Sequence, residues 1–469
     1  SIQIRSRRHD AATETAQRLI ATSTDGREVA DARVTVAQVA RARGNYPQAQ
    51  QELEAAITVL GLSGRAAAEY KSLLLEQKQS GHPPAWRGYV HALESFVAGP
   101  GVAADTVAQV ELELSQVLAD ELRQNDEALR ALERGLAARP DDPELHLARA
   151  LRLEHAGDLA AAADATRRVL EVQVTRAAAW RGLAALLAKM QRPADATLAL
   201  APLVAIGAAT ESDRARLAAI PCRAGLAPPG SMTPEEIEAL SPSEGGDPIT
   251  DVLLLTGDLL PKLNPPDLGR HGLTTRDRIT ARSGHPLRTV SDRVAAIFGI
   301  ADHQLFEHPA QPGTLGVELT DPVSLIVPSF VAGLPEPQRV FLLARVMASV
   351  ARRVPAIHRM SAEEIELFVC GAASAVGVTT PTRLDPGAVA ELGRRIARLL
   401  ARRTRRSLEE RASALAGGAA RGFGEWMHRA QVTAARAAVV VTDDLPGTVE
   451  IVRRLEGDLS GRSAAESAA

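Results

Sequence analysis

Apolar residues recur at helical spacing along most of the chain, and they crowd together over residues 337–353, PQRVFLLARVMASVARR. Val340, Leu343, Met347, Val350 and Val354 form one stripe, and Phe341, Leu342 and Val346 widen it until it nearly surrounds the helix. A helix this apolar belongs inside a core. Pro337 sits near its start, where a missing N–H costs nothing, and the closing arginines complement the helix dipole. Directly before it, the β-branched run 323–330 (VSLIVPSF) reads as a buried strand. The neighbouring pattern predicts a helix over 288–298, strands at HQLFEH (303–308) and TLGVEL (314–319), and helices over 361–374 and 423–442 with another starting at Pro446. A basic helix is expected over 385–406.

Upstream, the pattern is repetitive. Ala128, Ala162 and Ala196 are small residues 34 positions apart, each placed to let the second helix of a hairpin approach the first. Leu132 and Leu200 follow their anchors by four, on the same helical face. Gly157 precedes Ala162 by five, Asn125 lies just before Ala128, and Pro140 falls where a hairpin ends. Trp180, Leu183 and Ala184 occupy a first helix. GNYPQAQQELEAAI (44–57) repeats the second-helix pattern through Gly44, Tyr46, Ala49, Leu53 and Ala56. The distance from Ala49 to Ala128 is not a multiple of 34, so the unit between them, whose AWRG (85–88) echoes AWRG (179–182), is expected to carry an insertion at 98–104.

These residues resemble the tetratricopeptide repeat, a helix-turn-helix unit of 34 residues. The resemblance implies a right-handed solenoid whose concave groove binds a protein or peptide. Arg149, Arg152, Arg181 and Lys189 are the candidate groove-lining contacts; the competing reading is an array that serves only as a spacer or packs on its own C-terminal domain.

From Pro221 the repeat pattern gives way to a Pro-, Gly- and Ser-rich stretch containing one short helix started by Thr233-Pro234-Glu235-Glu236, an N-cap followed by an acidic first turn. Beyond it, the order and spacing of the predicted elements resemble the M48-type zinc metallopeptidase core, and more closely the ligand-free versions that follow tetratricopeptide repeats in large bacterial proteins. The segment 430–455 is the second point of resemblance. The family's chemistry needs two histidines one turn apart, a glutamate base after the first, and a third ligand from a later helix. The corresponding positions here are Ala344, Arg345 and Ala348, with Gln431, Ala434 and Ala435 on the later helix. Alanine binds no zinc, and arginine stays protonated. The resemblance therefore implies a peptidase fold without its active site.

The remaining candidate chemistry is weaker. His303 and His308 miss the spacing of an inverted zinc motif and read as surface histidines. His271 and His285 lie in loops. On the basic helix, Arg394, Arg398 and Arg402 are candidates for an acidic partner or a nucleic-acid backbone. That helix has no interleaved aromatics for base stacking, Glu409 and Glu410 follow it, and it reads as a solvated face. No phosphate-binding glycine motif or nucleophile-base pairing stands out.

Composition agrees with a mainly α protein. Aromatics make up 3% of the 469 residues, so its cores must be built from Ala, Leu and Val. A net charge of −3 gives no global field for nucleic acid or membrane. Cys222 and Cys370 are too few and too far apart for a disulfide framework, which fits a reducing, cytoplasmic setting. The start at Ser1, without a signal-peptide core, fits a fragment or a processed product.

The expected organisation is a tetratricopeptide-like α-solenoid at 1–220, a partly ordered linker at 221–275, a smaller, mostly helical α+β domain with a few short strands at 276–457, and a flexible tail at 458–469. The expected function is a non-enzymatic interaction scaffold needing no cofactor or metal. The alternatives are a metal-dependent hydrolase with non-standard ligands, or nucleic-acid binding through residues 394–406.

Overall fold

The computed structural model describes residues 9–242, 246–308, 315–419 and 422–455; the expected tail lies outside them. The protein is mainly α and divides into two compact units between Leu203 and Val204.

The first unit is an α-solenoid. A leading helix, α1 (His9–Thr22), packs on the first of five helical hairpins: α2 (Gly26–Ala42) with α3 (Tyr46–Leu60), α4 (Arg65–Gln79) with α5 (Trp86–Val97), α6 (Ala104–Asp120) with α7 (Asn125–Ala138), α8 (Pro143–Ala156) with α9 (Leu159–Val172), and α10 (Ala177–Lys189) with α11 (Pro193–Leu198). Local chemistry starts these helices where they start. Asp25, Asn45, Asp142 and Asp158 each accept a backbone N–H of the first turn, and prolines occupy the opening positions of α3, α8 and α11. Gly157 ends α8 in the left-handed conformation (φ 86°), where glycine carries no Cβ penalty.

The small anchors do what their spacing requires. Ala49, Ala128, Ala162 and Ala196 are completely buried on second helices. On α5 the matching position is Tyr89, also fully buried, and Gly88 directly precedes it. A Cβ on Gly88 would lie 2.1 Å from Glu54 Oε1 and 2.7 Å from the Tyr70 hydroxyl, so only glycine fits without a shift. Second helices therefore start at 46, 86, 125, 159 and 193. The repeat is about five residues longer in the N-terminal half of the array, and the extra length is not confined to 98–104. It is shared with the first helices, since α2 and α6 each have 17 residues against 14 in α8 and 13 in α10. The two AWRG motifs are not equivalent either: Trp86 opens a second helix, whereas Trp180 lies within a first helix.

The second unit is built round a buried helix. In chain order it contains α12 (Pro248–Thr256), α13 (Pro286–Ile297), β1 (Gln304–His308), β2 (Gly316–Glu318), β3 (Ser324–Pro328), α14 (Glu336–Ala351), α15 (Ala362–Ser374), α16 (Pro386–Leu399), α17 (Arg402–Ala414), α18 (Phe423–Thr442) and α19 (Leu445–Leu455). The sheet has the order β1-β3-β2, with β1 parallel and β2 antiparallel to β3. Every residue of β3 is buried. Leu325 and Val327 join the main core with α14, while Ile326 packs with Phe306 and Leu273 on the opposite face. That alternation is the period-2 geometry of a strand covered on both sides.

Helix α14 is the centre of this core: Val340, Phe341, Leu343, Ala344, Met347 and Ala348 are at most 1% exposed. It packs along α18, whose Ala434, Ala437 and Ala438 are equally buried, so small residues let the helices approach closely. Residues 221–275, read from composition as a partly ordered linker, supply Met232, Ile237, Val252 and Leu260 to this core. The short helix Pro234–Glu238 has a full capping box between Thr233 and Glu236.

The expected single basic helix is two. The chain is extended at Leu400 (ψ 124°) and Ala401 (ψ 139°), and α17 starts afresh at Arg402. In one continuous helix Ile396 and Leu408 would point about 120° apart. The break turns both into the same core, where each is fully buried.

Candidate functional site

In the solenoid, the first helices of successive hairpins are tied side by side by ion pairs. Arg41 Nε meets Glu76 at 2.6 Å, Lys71 meets Glu113 at 2.7 Å, and Lys78 meets Glu121 at 2.8 Å. Arg152 meets Asp120 at 2.7 Å, Arg176 meets Glu144 at 2.7 Å, and Lys189 pairs with Glu154. Each partly exposed pair contributes at most about 1 kcal/mol, but all of them fix the same relationship between neighbouring helices.

Among these pairs, four of the five first helices present a neutral residue. Leu75 lies between Lys71 and Lys78 on α4, and Gln116 lies between Glu113 and Asp120 on α6. Leu151 is flanked by Glu144 and Glu154 on α8, and Ala185 by Arg181 and Lys189 on α10, at spacings that place each set on one helical face. Leu75 and Leu151 are 47% and 45% exposed, which leaves apolar surface uncovered on two of the four helices.

Sequence reasoning selected this surface for its positive charges, and the structure distributes them differently. The Arg152 side chain is only 7% exposed and is held by Asp120, and Lys189 is engaged by Glu154. Arg149 is half-buried and Arg181 exposed. The neutral stripe between the pairs is a feature that the sequence reading of these four residues does not name. Its signal is present in the sequence, because each neutral residue sits three to seven positions from flanking charges, and Lys71, Lys78, Glu113, Asp120, Glu144, Glu154 and Lys189 among them pair with the neighbouring hairpin.

Helix α14 carries no metal-ligating side chain at Ala344, Arg345 or Ala348. Ala344 and Ala348 are fully buried and Arg345 is half-buried, so part of its side chain reaches solvent. On α18, Ala434 is buried and Gln431 and Ala435 are half-buried. The polar group next to this turn is His358, whose Nε2 lies 2.9 Å from Ser349 Oγ. Burial, with the positive Arg345 second, pushes its pKa down to about 4, while a hydrogen bond with the Arg345 backbone opposes the shift. His358 is a half-buried histidine held neutral at pH 7. No group of three or more His, Cys, Asp or Glu side chains is arranged to hold a metal ion among the described residues.

The other histidines have structural partners. His303, expected at the surface, is instead 3% exposed, with Nε2 2.6 Å from Ser291 Oγ. Burial and then Arg288 lower its pKa. Its position just before β1, under α13, accounts for the difference. His285 accepts the Leu287 N–H as the N-cap of α13 and lies 3.2 Å from Glu307. His271 Nε2 is 3.2 Å from Glu318 Oε1 and stacks edge-on to His308. Glu318, fully buried on β2, also pairs with Arg359 at 3.3 Å. That buried ion pair joins residues 41 positions apart and leaves no local sequence signature.

Arg394 and Arg398 lie on α16 and Arg402 opens α17, so they do not share one helix. All three are exposed, as is Arg403. Arg395 donates to the Leu263 carbonyl, and Arg406 pairs with Glu410.

No family model matches this sequence, and no curated protein does. Among solved structures, the crystal structure of MamA protein aligns over 41% of this chain and 95% of its own at 12% identity, with a TM-score of 0.27.

Proposed function

We propose that the protein is a non-enzymatic interaction scaffold whose solenoid binds a protein or peptide partner along its first helices. The carrying observation is the neutral stripe of Leu75, Gln116, Leu151 and Ala185, framed by the inter-hairpin ion pairs. The frame gives four successive helices a fixed spacing, and the exposed leucines offer apolar area that an extended or helical segment can cover. Arg149 and Arg181 are the polar contacts beside that stripe. The second unit, with alanines at 344 and 348 and arginine at 345, fits a peptidase-like module retained for docking or assembly. Its exposed Arg394, Arg398 and Arg402 are candidate contacts to an acidic partner. Two unpaired cysteines fit a reducing, cytoplasmic location, and no helix among the described residues is long and apolar enough to cross a membrane.

The test is a quantitative pull-down comparing the intact chain with Leu75→Glu/Leu151→Glu. A bound protein that the variant loses, with an unchanged melting curve, supports the reading; identical retention by both forms removes the stripe from it. A nucleic-acid role through α16 and α17 instead requires salt-dependent retention on DNA or RNA that Arg398→Glu/Arg402→Glu abolishes.

A further inference from the structure

The second unit holds a cavity of about 370 Å³ at the C-terminal end of α14, independent of the solenoid surface. Its walls include Leu253, Leu260, Val350, Val354 and Trp426, so its body is apolar. The Trp426 indole N–H is already satisfied by Thr250 Oγ1 at 2.9 Å, leaving the ring as a hydrophobic wall. The volume lies near the lower end of the range for small-molecule pockets, about 300–1,000 Å³.

Three charged residues line the same cavity: Arg353, Asp258 and Asp321, all exposed. Neither carboxylate comes within 4.0 Å of the guanidinium, and no ion pair among the described residues uses any of the three. This contrasts with the adjoining Arg352, which is paired with Glu238, and Arg429, which is paired with Asp247. Unlike charges thus face one apolar cavity with a gap between them. A simple anion there would face two carboxylates, and a simple cation would face the guanidinium. A molecule carrying both charges next to an apolar body satisfies all three.

We propose that this cavity binds a free apolar α-amino acid, its side chain against Trp426 and Val354, its carboxylate on Arg353 and its ammonium on Asp258 and Asp321. Each charged end contributes a separate contact, so removing either end weakens binding roughly tenfold or more, the equivalent of about 1.4 kcal/mol.

Isothermal titration of the intact chain with L-leucine, 4-methylpentanoate and 3-methylbutylamine tests this directly, because the last two are leucine without its ammonium and without its carboxylate. The expected result is saturable leucine binding, with both analogues weaker by at least about tenfold. Arg353→Gly, at a position with φ 60° that glycine adopts freely, should fold normally and bind leucine no better than the amine. Asp258→Asn/Asp321→Asn should reduce leucine to the level of the acid. Absence of saturable leucine binding, an analogue that binds as tightly as leucine, or leucine affinity unchanged in Arg353→Gly each overturns the proposal.

Discussion

His358 couples the stability of the second unit to pH. An ordinary histidine takes up its proton near pH 6.5, whereas burial beside Arg345 delays protonation in the folded chain to about pH 4. The folded state thus binds fewer protons than the unfolded state between these values, so stability rises with pH there. The contribution is fully present above pH 6.5 and is lost as pH falls toward 4, with a total of roughly 3 kcal/mol. His303 acts in the same direction through its own burial. His358→Gln, which keeps a polar partner for Ser349, should flatten the fall in unfolding free energy between pH 7 and pH 5 measured by urea titration; an unchanged slope would show that His358 does not cause it. Glu111 follows the opposite rule: its buried carboxyl is raised because burial outweighs the two hydrogen bonds from Arg134, so its ionisation works against folding at neutral pH.

At the scale of elements, the two AWRG motifs show what local sequence carries and what it does not. Gly88 lies on a second helix, where a Cβ would strike the Glu54 carboxylate that the Tyr70 hydroxyl bonds at 2.6 Å. Gly182 lies inside first helix α10, and a Cβ there meets nothing within 4 Å. Gly88→Ala should destabilise the chain by about 1–3 kcal/mol through overpacking. Gly182→Ala should stabilise it by about 0.5–1 kcal/mol by removing a helix-interior glycine. Thermal denaturation of the two variants checks the signs, and a shift in the same direction for both would contradict the assignment of the motifs to different helices. The 34-residue spacing of Ala128, Ala162 and Ala196, the N-cap at Thr233 and the buried character of α14 were legible because each is set by chemistry within a few turns. The break at Leu400, the burial of His303 and the Glu318–Arg359 pair were not. Each is decided by a partner surface contributed from elsewhere in the second unit, which spacing along one helix does not encode.

For the molecule as a whole, the decisive distinction is whether the second unit depends on a metal. Its core is closed by alanines on α14 and α18. Histidines 285, 303 and 358 are committed to an N-cap or to serine hydroxyls. A structural zinc would contribute folding free energy outright, and chelation would then lower the melting temperature. The solenoid-scaffold reading carries the opposite expectation: protein purified without added metal contains substoichiometric zinc, and excess EDTA leaves both the melting temperature and partner retention unchanged. Stoichiometric zinc, lost to the chelator together with a peptidase activity, would replace the scaffold reading with that of a hydrolase using ligands other than the expected helix pair. Because the solenoid's inter-hairpin ion pairs named above involve no histidine or cysteine, a partner still retained by metal-free protein is not held through a metal-organised second unit, and its loss from Leu75→Glu/Leu151→Glu then places it on the stripe.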